Sequence, residues 1–436
     1  MSTTTKNNFV PIVIIGGLFA IFGFVTWING ALIPFMKTIN ELTEAQSYLV
    51  ATASYISFVV MALPASYIIN KVGYKNGISL GLAIMAVGAL VFIPAADART
   101  YWLFLVAIFI QGIGMTICQT AANPYITILG PIESGAKRMA MMGIANKVAG
   151  ALGSVIFGAL LLSGIDEVNE KLGSVSDDEK SVLLDTMADS VHTPYIVMAV
   201  VLFVFAFLIR KAALPNVEAA VEDEVTTGGS TQKSIFQYPQ LWLGVIALFV
   251  YVGAEVIAGD TIIAYGISLG IPATEAKFFT TYTLMAMVAT YALGVFLIPK
   301  YISQKNALVW SAILGIIFSV LILSTSGFTS VLFVAALGIA NALVWPAVWP
   351  LTLDGLGKHT KTASALLIMA ISGGAIIPPL YGRMVDANKH ELVATGIQEA
   401  EALSTASTSS YWILIPCYFI ILFFALWGHK IKSWTK

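Results

Sequence analysis

The chain reads as an all-α membrane protein of twelve transmembrane helices, built as two pseudo-symmetric six-helix bundles, and three observations carry that reading. Long apolar segments recur along all 436 residues with only short polar breaks. Hydrophobic residues make up 58% and charged residues only 11%, against about 25% charged in soluble domains. The pattern also repeats internally, as six spans, an acidic stretch and six more spans. Crossing a hydrocarbon slab roughly 30 Å thick takes about 20 apolar residues, and these must be helical because lipid offers the backbone no hydrogen-bond partner.

The first span is predicted over 9–36, "FVPIVIIGGLFAIFGFVTWINGALIPFM". The preceding "MSTTTKNN" leads straight into it with no short apolar core and no small-residue cleavage site, so this span is expected to be retained. The others are predicted at 45–70, 76–96, 101–130, 138–164, 193–210, 238–268, 273–298, 305–326, 329–353, 362–385 and 409–428. Twelve spans return the chain to its starting side. Of the 23 Lys and Arg, one, Lys147, lies inside a span, and the other 22 divide as fifteen on the side of the termini and seven on the opposite side. Cationic loops stay cytoplasmic, so both termini are expected inside. Residues 212–236 form one long acidic, Gly/Ser-bearing linker between an amino-terminal bundle, 1–211, and a carboxy-terminal bundle, 237–436. The stretches 165–192 and 387–408 read as polar loops on the outer side.

A repeat of six spans suits carriers that rock two bundles about a site at mid-membrane. Gly150, Gly153 and Gly158 in span five and Gly373, Gly374 and Gly382 in span eleven permit close helix approach, either as static packing or as smooth faces that slide. Net charge is −1, without the basic surface that nucleic acid requires. Cys118 and Cys417 sit inside apolar segments and read as small buried hydrophobes. There is no phosphate-cradling Gly-rich loop, no Cys/His cluster and no nucleophile placed beside a base, so an enzyme is not expected. His192, His359, His390 and His429 all fall at loops or span ends, which argues against an imidazole relay.

Function then rests on polar groups at depth, which face an interior or a wet cavity because lipid penalises them. Span four carries Gln111, Gln119 and Asn123, spaced eight and four, within about a third of the helix circumference. Amides both donate and accept, which suits an uncharged, hydroxyl-rich ligand; bridging between helices is the alternative. Span ten offers Asn341, Trp345 and Trp349, spaced four and four, an amide and two aromatic faces on which a sugar ring stacks, or core packing. Pro124, Pro346 and Pro350 interrupt backbone pairing beside these stripes, which is tolerated where backbone lines a cavity. Lys147, next to Asn146, lies about ten residues into span five, roughly 15 Å deep. Glu255 and Asp260 lie within span seven, where Gly253 and Gly259 allow a bend. One cation and two carboxylates can bind a coupling ion, pass a proton or neutralise one another. Asn29 in span one, followed by Gly30 and Pro34, can offer oxygen to a small hard cation or bond a neighbouring helix.

The segments "FGFVTWINGALIPF" (22–35), "TAANPYITILG" (120–130) and "GAEVIAGDTIIAYG" (253–266) resemble the major facilitator superfamily. Within it they resemble the fucose/proton symporter branch, with its bacterial glucose/galactose and N-acetylglucosamine permeases and animal sodium-dependent glucose transporters. The resemblance covers essentially all twelve spans, although the superfamily's turn after span two survives only as "NKVGYKNG". It implies uptake of a hexose or N-acetylhexosamine by alternating access, coupled to a cation. Asn146 resembles the branch's sugar-binding asparagine, and Lys147 with the span-seven acids resembles the glucose and N-acetylglucosamine side of the branch. The fucose carriers have a carboxylate in span one and a glutamate before "TAANP", where this chain has Gly30 and Gln119. Sodium therefore ranks ahead of a proton, while Lys147 argues the other way because a buried lysine titrates readily. An uncoupled facilitator and a non-transporting sugar sensor stay open as alternatives. The resemblance implies no cofactor beyond Na+ or H+, no metal beyond that sodium, a sugar and the bilayer as partners, a monomer, and a bacterial inner membrane location.

Overall fold

The computed structural model describes residues 9–128, 135–172, 174–212, 234–298, 300–356 and 359–434. Most of the predicted linker, 213–233, lies outside these, as do the side chains of Pro124 and Lys137. Among the described residues twelve helices are long and apolar enough to span a membrane, from Pro11–Ile39 and Glu44–Val72 to Thr362–Ala394 and Glu399–Lys430. Each overlaps one predicted span. Large apolar side chains such as Leu63, Phe207, Phe296 and Phe419 stand exposed around the bundle. Hydrocarbon tails on that surface are as apolar as leucine, so these side chains need no protein partner. Cys118 and Cys417 are free and buried.

The two stretches read as polar loops are helical instead. Residues 165–192 hold the helices Ile165–Leu172 and Asp177–Asp189, and 387–408 are taken up by extensions of the eleventh and twelfth spans, Gly373–Ala394 and Glu399–Ser410. The physical cause is local: Ser176 and Glu179 form a reciprocal capping box, and Asp177, Asp178 and Glu179 crowd the first turn, where carboxylates meet the positive end of the helix dipole. Such helices are polar, so hydropathy does not announce them.

Among the described residues several spans are interrupted, and three of the interruptions bear on the site. Span one breaks at Ile28 between helices Phe9–Trp27 and Asn29–Ile39. Span ten breaks between Gly327–Asn341 and Val344–Leu353, where Pro346 lacks the N–H that would have met the Ala342 carbonyl. Span seven widens into a π-helical segment, Ile257–Thr261. The backbone oxygens this exposes are not abandoned. Thr283 Oγ1 donates to the Ala258 carbonyl at 2.9 Å and Thr280 Oγ1 to the Gly259 carbonyl at 2.7 Å.

The two halves are latched together on the face opposite the termini. There the short helix Glu44–Ser47, between spans one and two, opens with the full set of unpaired N–H groups that any helix start exposes. Gln46 Oε1 accepts from Thr43 N at 3.0 Å, and Thr43 Oγ1 accepts from Gln46 N at 3.2 Å. The middle two are met by the other half: Asp386 of span eleven accepts from Glu44 N at 3.0 Å through Oδ1 and from Ala45 N at 2.9 Å through Oδ2. The pseudo-symmetric counterpart is Asp166, after span five, which accepts from Ala273 N at 3.1 Å, the first residue of helix Ala273–Ala276 between spans seven and eight. Close approach is allowed by glycine at equivalent places. A Cβ on Gly382 would lie 2.9 Å from the Ala45 backbone, and one on Gly158 would lie 2.9 Å from Lys277 Cβ. The other span-five and span-eleven glycines pack against Trp27, Phe24, the Phe249 carbonyl and Tyr55, so the small faces belong both to the bundle and to the latch.

Candidate functional site

Where the interrupted helices meet, a cavity of about 170 Å³ opens between the halves. The amino-terminal half lines it with Thr26 and Trp27 of span one, Tyr55 of span two, Gln119 and Asn123 of span four, and Asn146 and Lys147 of span five. The other half adds Tyr251 and Glu255 of span seven, Tyr291 of span eight, and Trp345 and Pro346 of span ten. Polar groups are few and convergent among aromatic walls, the usual character of a small-molecule site.

Among the described residues the one ion pair at depth crosses between the halves. Lys147 Nζ donates to Glu255 Oε1 at 2.7 Å, with side chains only 9% and 13% exposed, and stands 4.1 Å from the centre of the Trp27 ring. Taking both charges out of water costs several kcal/mol, which mutual attraction offsets only in good geometry; the indole face adds to the cation's stabilisation. Trp27 is itself positioned twice. Its Nε1 donates to Asn146 Oδ1 at 3.4 Å, and its far edge presses on Gly259 of the π segment, where a Cβ would fall 2.1 Å from the ring. Asn146 also donates to the Phe19 carbonyl at 3.2 Å, so the amide is already oriented toward the cavity.

The structure brings together Gln119, Asn123, Asn146, Lys147, Glu255 and Trp345 and leaves the other candidates aside. Gln111 is buried against Gly88 of span three, eight residues up the helix and beyond the cavity lining. Asn341 is fully buried and accepts from Tyr418 OH at 2.9 Å, turned into the carboxy-terminal bundle because the span-ten break rotates it away from Trp345. Trp349 stacks on Trp345, ring centres 5.3 Å apart, backing the cavity wall rather than forming it. Asn29 donates to Ser54 Oγ at 3.1 Å, and Asp260, wholly buried, lies behind the lining. Trp27, Tyr251 and Tyr291 are among the lining residues that spacing missed. Each sits in a run of apolar neighbours, so nothing in the pattern separates them from ordinary core aromatics.

Among the described residues one group of His and carboxylates brings ligand atoms within 4.8 Å, Asp97, Asp189 and His192. Both acids are exposed and His192 Nε2 lies 3.0 Å from Asp97 Oδ1, outside the cavity lining.

The sequence model of the Major Facilitator Superfamily matches residues 15–379. The chain belongs to that superfamily. It is 33% identical over 432 residues, 98% of this chain and 96% of the relative, to the glucose/galactose transporter of Brucella abortus (strain 2308). It is 29% identical, over 88% of each chain, to the L-fucose-proton symporter of Escherichia coli (strain K12). Among solved structures it is similar to the transporter FucP in the outward conformation, with a TM-score of 0.71, 26% identity, and 99% of this chain and 100% of that one covered. Where the names of such relatives state a coupling ion, it is a proton. The ranking of sodium ahead of a proton finds no support there.

Proposed function

We propose that this superfamily member is a proton-coupled hexose carrier that works by alternating access between its two halves. The observation that carries the reading is the interfacial cavity, in which amides, an indole face and a buried ion pair from both halves converge. Gln119, Asn123 and Asn146 read the sugar hydroxyls, Trp345 stacks on the C–H face, and Lys147 with Glu255 links sugar occupancy to the ion. An engineered cavity of about 150 Å³ accepts benzene, so about 170 Å³ has room for one six-membered ring and little more. That favours a plain hexose over an N-acetylhexosamine, in keeping with a glucose/galactose transporter as a 33% identical relative. Bacterial relatives and the cation bias of the loops support a bacterial inner membrane with both termini cytoplasmic. On that orientation the latched face is external, and the latch holds the carrier closed to the outside.

Purified protein in liposomes tests the reading through counterflow of labelled glucose, galactose and N-acetylglucosamine, followed by uptake under an imposed proton or sodium gradient. Counterflow of a hexose and accumulation under the proton gradient alone are expected. Exchange that ignores both gradients would make the chain a facilitator, binding without exchange would make it a sensor, and accumulation under sodium alone would reverse the choice of ion.

A further inference from the structure

Resting on the carrier reading, we propose that Asp260 is the group that takes up the transported proton, and that Lys147 is a shared cation which Glu255 and a deprotonated Asp260 hold by turns. The starting observation is an anomaly of pairing. Asp260 is 0% exposed, and neither carboxylate oxygen receives a hydrogen bond among the described residues. A bare carboxylate with no donor at mid-membrane is among the least tolerable groups a protein can bury. The neutral acid has no such difficulty.

The threonine hydroxyls around it are directed to backbone carbonyls. Asn29 of span one flanks the carboxyl and donates one amide N–H to Ser54 Oγ at 3.1 Å, while its second N–H acts on Asp260 without a formed hydrogen bond. Thr280 and Thr283 of span eight serve the π-segment carbonyls, and Thr261 serves the Ile257 carbonyl at 2.7 Å. Tyr55 of span two faces the same acid. Among the described residues the charged groups acting on Asp260 are Lys147 of span five and Glu255 of its own helix, and Lys147 is held by Glu255 at 2.7 Å.

The π segment explains how one lysine can answer two acids. Five residues along an ordinary α-helix end about 140° around the axis, which would send Glu255 and Asp260 to different sides. The π segment Ile257–Thr261, which contains Asp260, has a wider turn with an i to i+5 repeat that brings Asp260 back toward the side of Glu255, and such bulges recur at functional sites. Trp27 then separates the two acids' surroundings, its face on Lys147 and its edge on Gly259.

The charge count is balanced in both states. With the proton on Asp260 the cluster holds Lys147 as a cation and Glu255 as an anion, and is neutral. When the O–H bond of Asp260 breaks and the proton leaves to water on the low-proton side, the cluster carries one net negative charge and Lys147 is drawn toward the new carboxylate. Glu255 is thereby freed at the cavity edge, and the wall against which the sugar was held changes. Proton loss and sugar release are linked through a single lysine.

The test uses the full-length protein in liposomes. Asp260→Asn fixes the loaded, neutral form: hexose accumulation under a proton gradient and sugar-evoked alkalinisation of the medium are expected to fall at least about tenfold, well inside the range of ordinary coupling energies, while counterflow falls far less. In the same variant the pH dependence of sugar affinity should flatten. Asp260→Glu, which keeps a carboxyl, should retain coupling and guards against a folding artefact in the first variant. Accumulation and pH dependence surviving in Asp260→Asn would overturn the proposal. Absence of counterflow in the unaltered protein would instead sink the carrier reading on which it rests.

Discussion

Replacing Asp386 with asparagine takes one carboxylate oxygen and the negative charge from the start of helix Glu44–Ser47 while leaving the side chain's shape nearly intact. In the native latch both oxygens accept backbone N–H groups, at 3.0 and 2.9 Å, and hydrogen bonds to a charged acceptor contribute about 1.5–3 kcal/mol each. Asparagine keeps one acceptor and turns its own N–H group against the second donor. Asp386 is half-buried, which favours the lower end of the range, so closure should weaken by about 2 kcal/mol, or roughly 30-fold in the closed-to-open ratio. Hydrogen exchange read by mass spectrometry reports the population of such openings. The informative amide is not at the mutated contact but at Ala273, held by Asp166 in the pseudo-symmetric latch. If the halves part as rigid bodies, Ala273 exchange should quicken in Asp386→Asn by a similar factor. Faster exchange at Glu44 and Ala45 with Ala273 unchanged would refute the idea that the two aspartates close one gate.

Three further outcomes are expected. Asn146→Ala removes an oriented amide from the cavity wall and a partner of Trp27, so sugar affinity measured by tryptophan fluorescence should drop about tenfold, the worth of one good hydrogen bond; unchanged affinity removes Asn146 from the site. Lys147→Ala leaves Glu255 buried without its cation and should lower unfolding stability in detergent by about 3 kcal/mol, with much of the loss recovered in the double variant that adds Glu255→Gln; additive losses would show that the pair is not coupled. Gly23→Ala places a Cβ 1.9 Å from the Asn146 carbonyl oxygen, so spans one and five must separate, at a cost of about 3 kcal/mol readable as a lower melting temperature; a native melting curve would contradict the packing described.

How much of the site was legible depends on which physical rule governs each residue. Lys147 and Glu255 stand out in the sequence because charge is so costly in lipid that its presence alone implies a partner, and the partner proved to be across the interface. Gln111 and Asn341 obey the same helical spacing as Gln119 and Trp345 yet end elsewhere, Gln111 because it lies about two turns beyond the depth of the cavity and Asn341 because spacing fixes a face only while the helix is regular. Span ten is not regular. Trp27 and Tyr291 were invisible for the opposite reason: an aromatic residue in an apolar run has the same signature whether it faces packing or a cavity.

The sequence by itself determined the twelve spans, the two repeated halves and the superfamily, since all of these follow from hydrophobic length, repeat and short motifs that need no knowledge of neighbours. Only the tertiary structure decided which polar groups meet. Lys147 of span five meets Glu255 of span seven, and Asp386 reaches across to cap a helix 342 positions away from it in the chain. Hydrophobic periodicity is a property of one helix at a time, whereas pairing is settled by helix breaks and by contacts between distant spans, which no local pattern encodes.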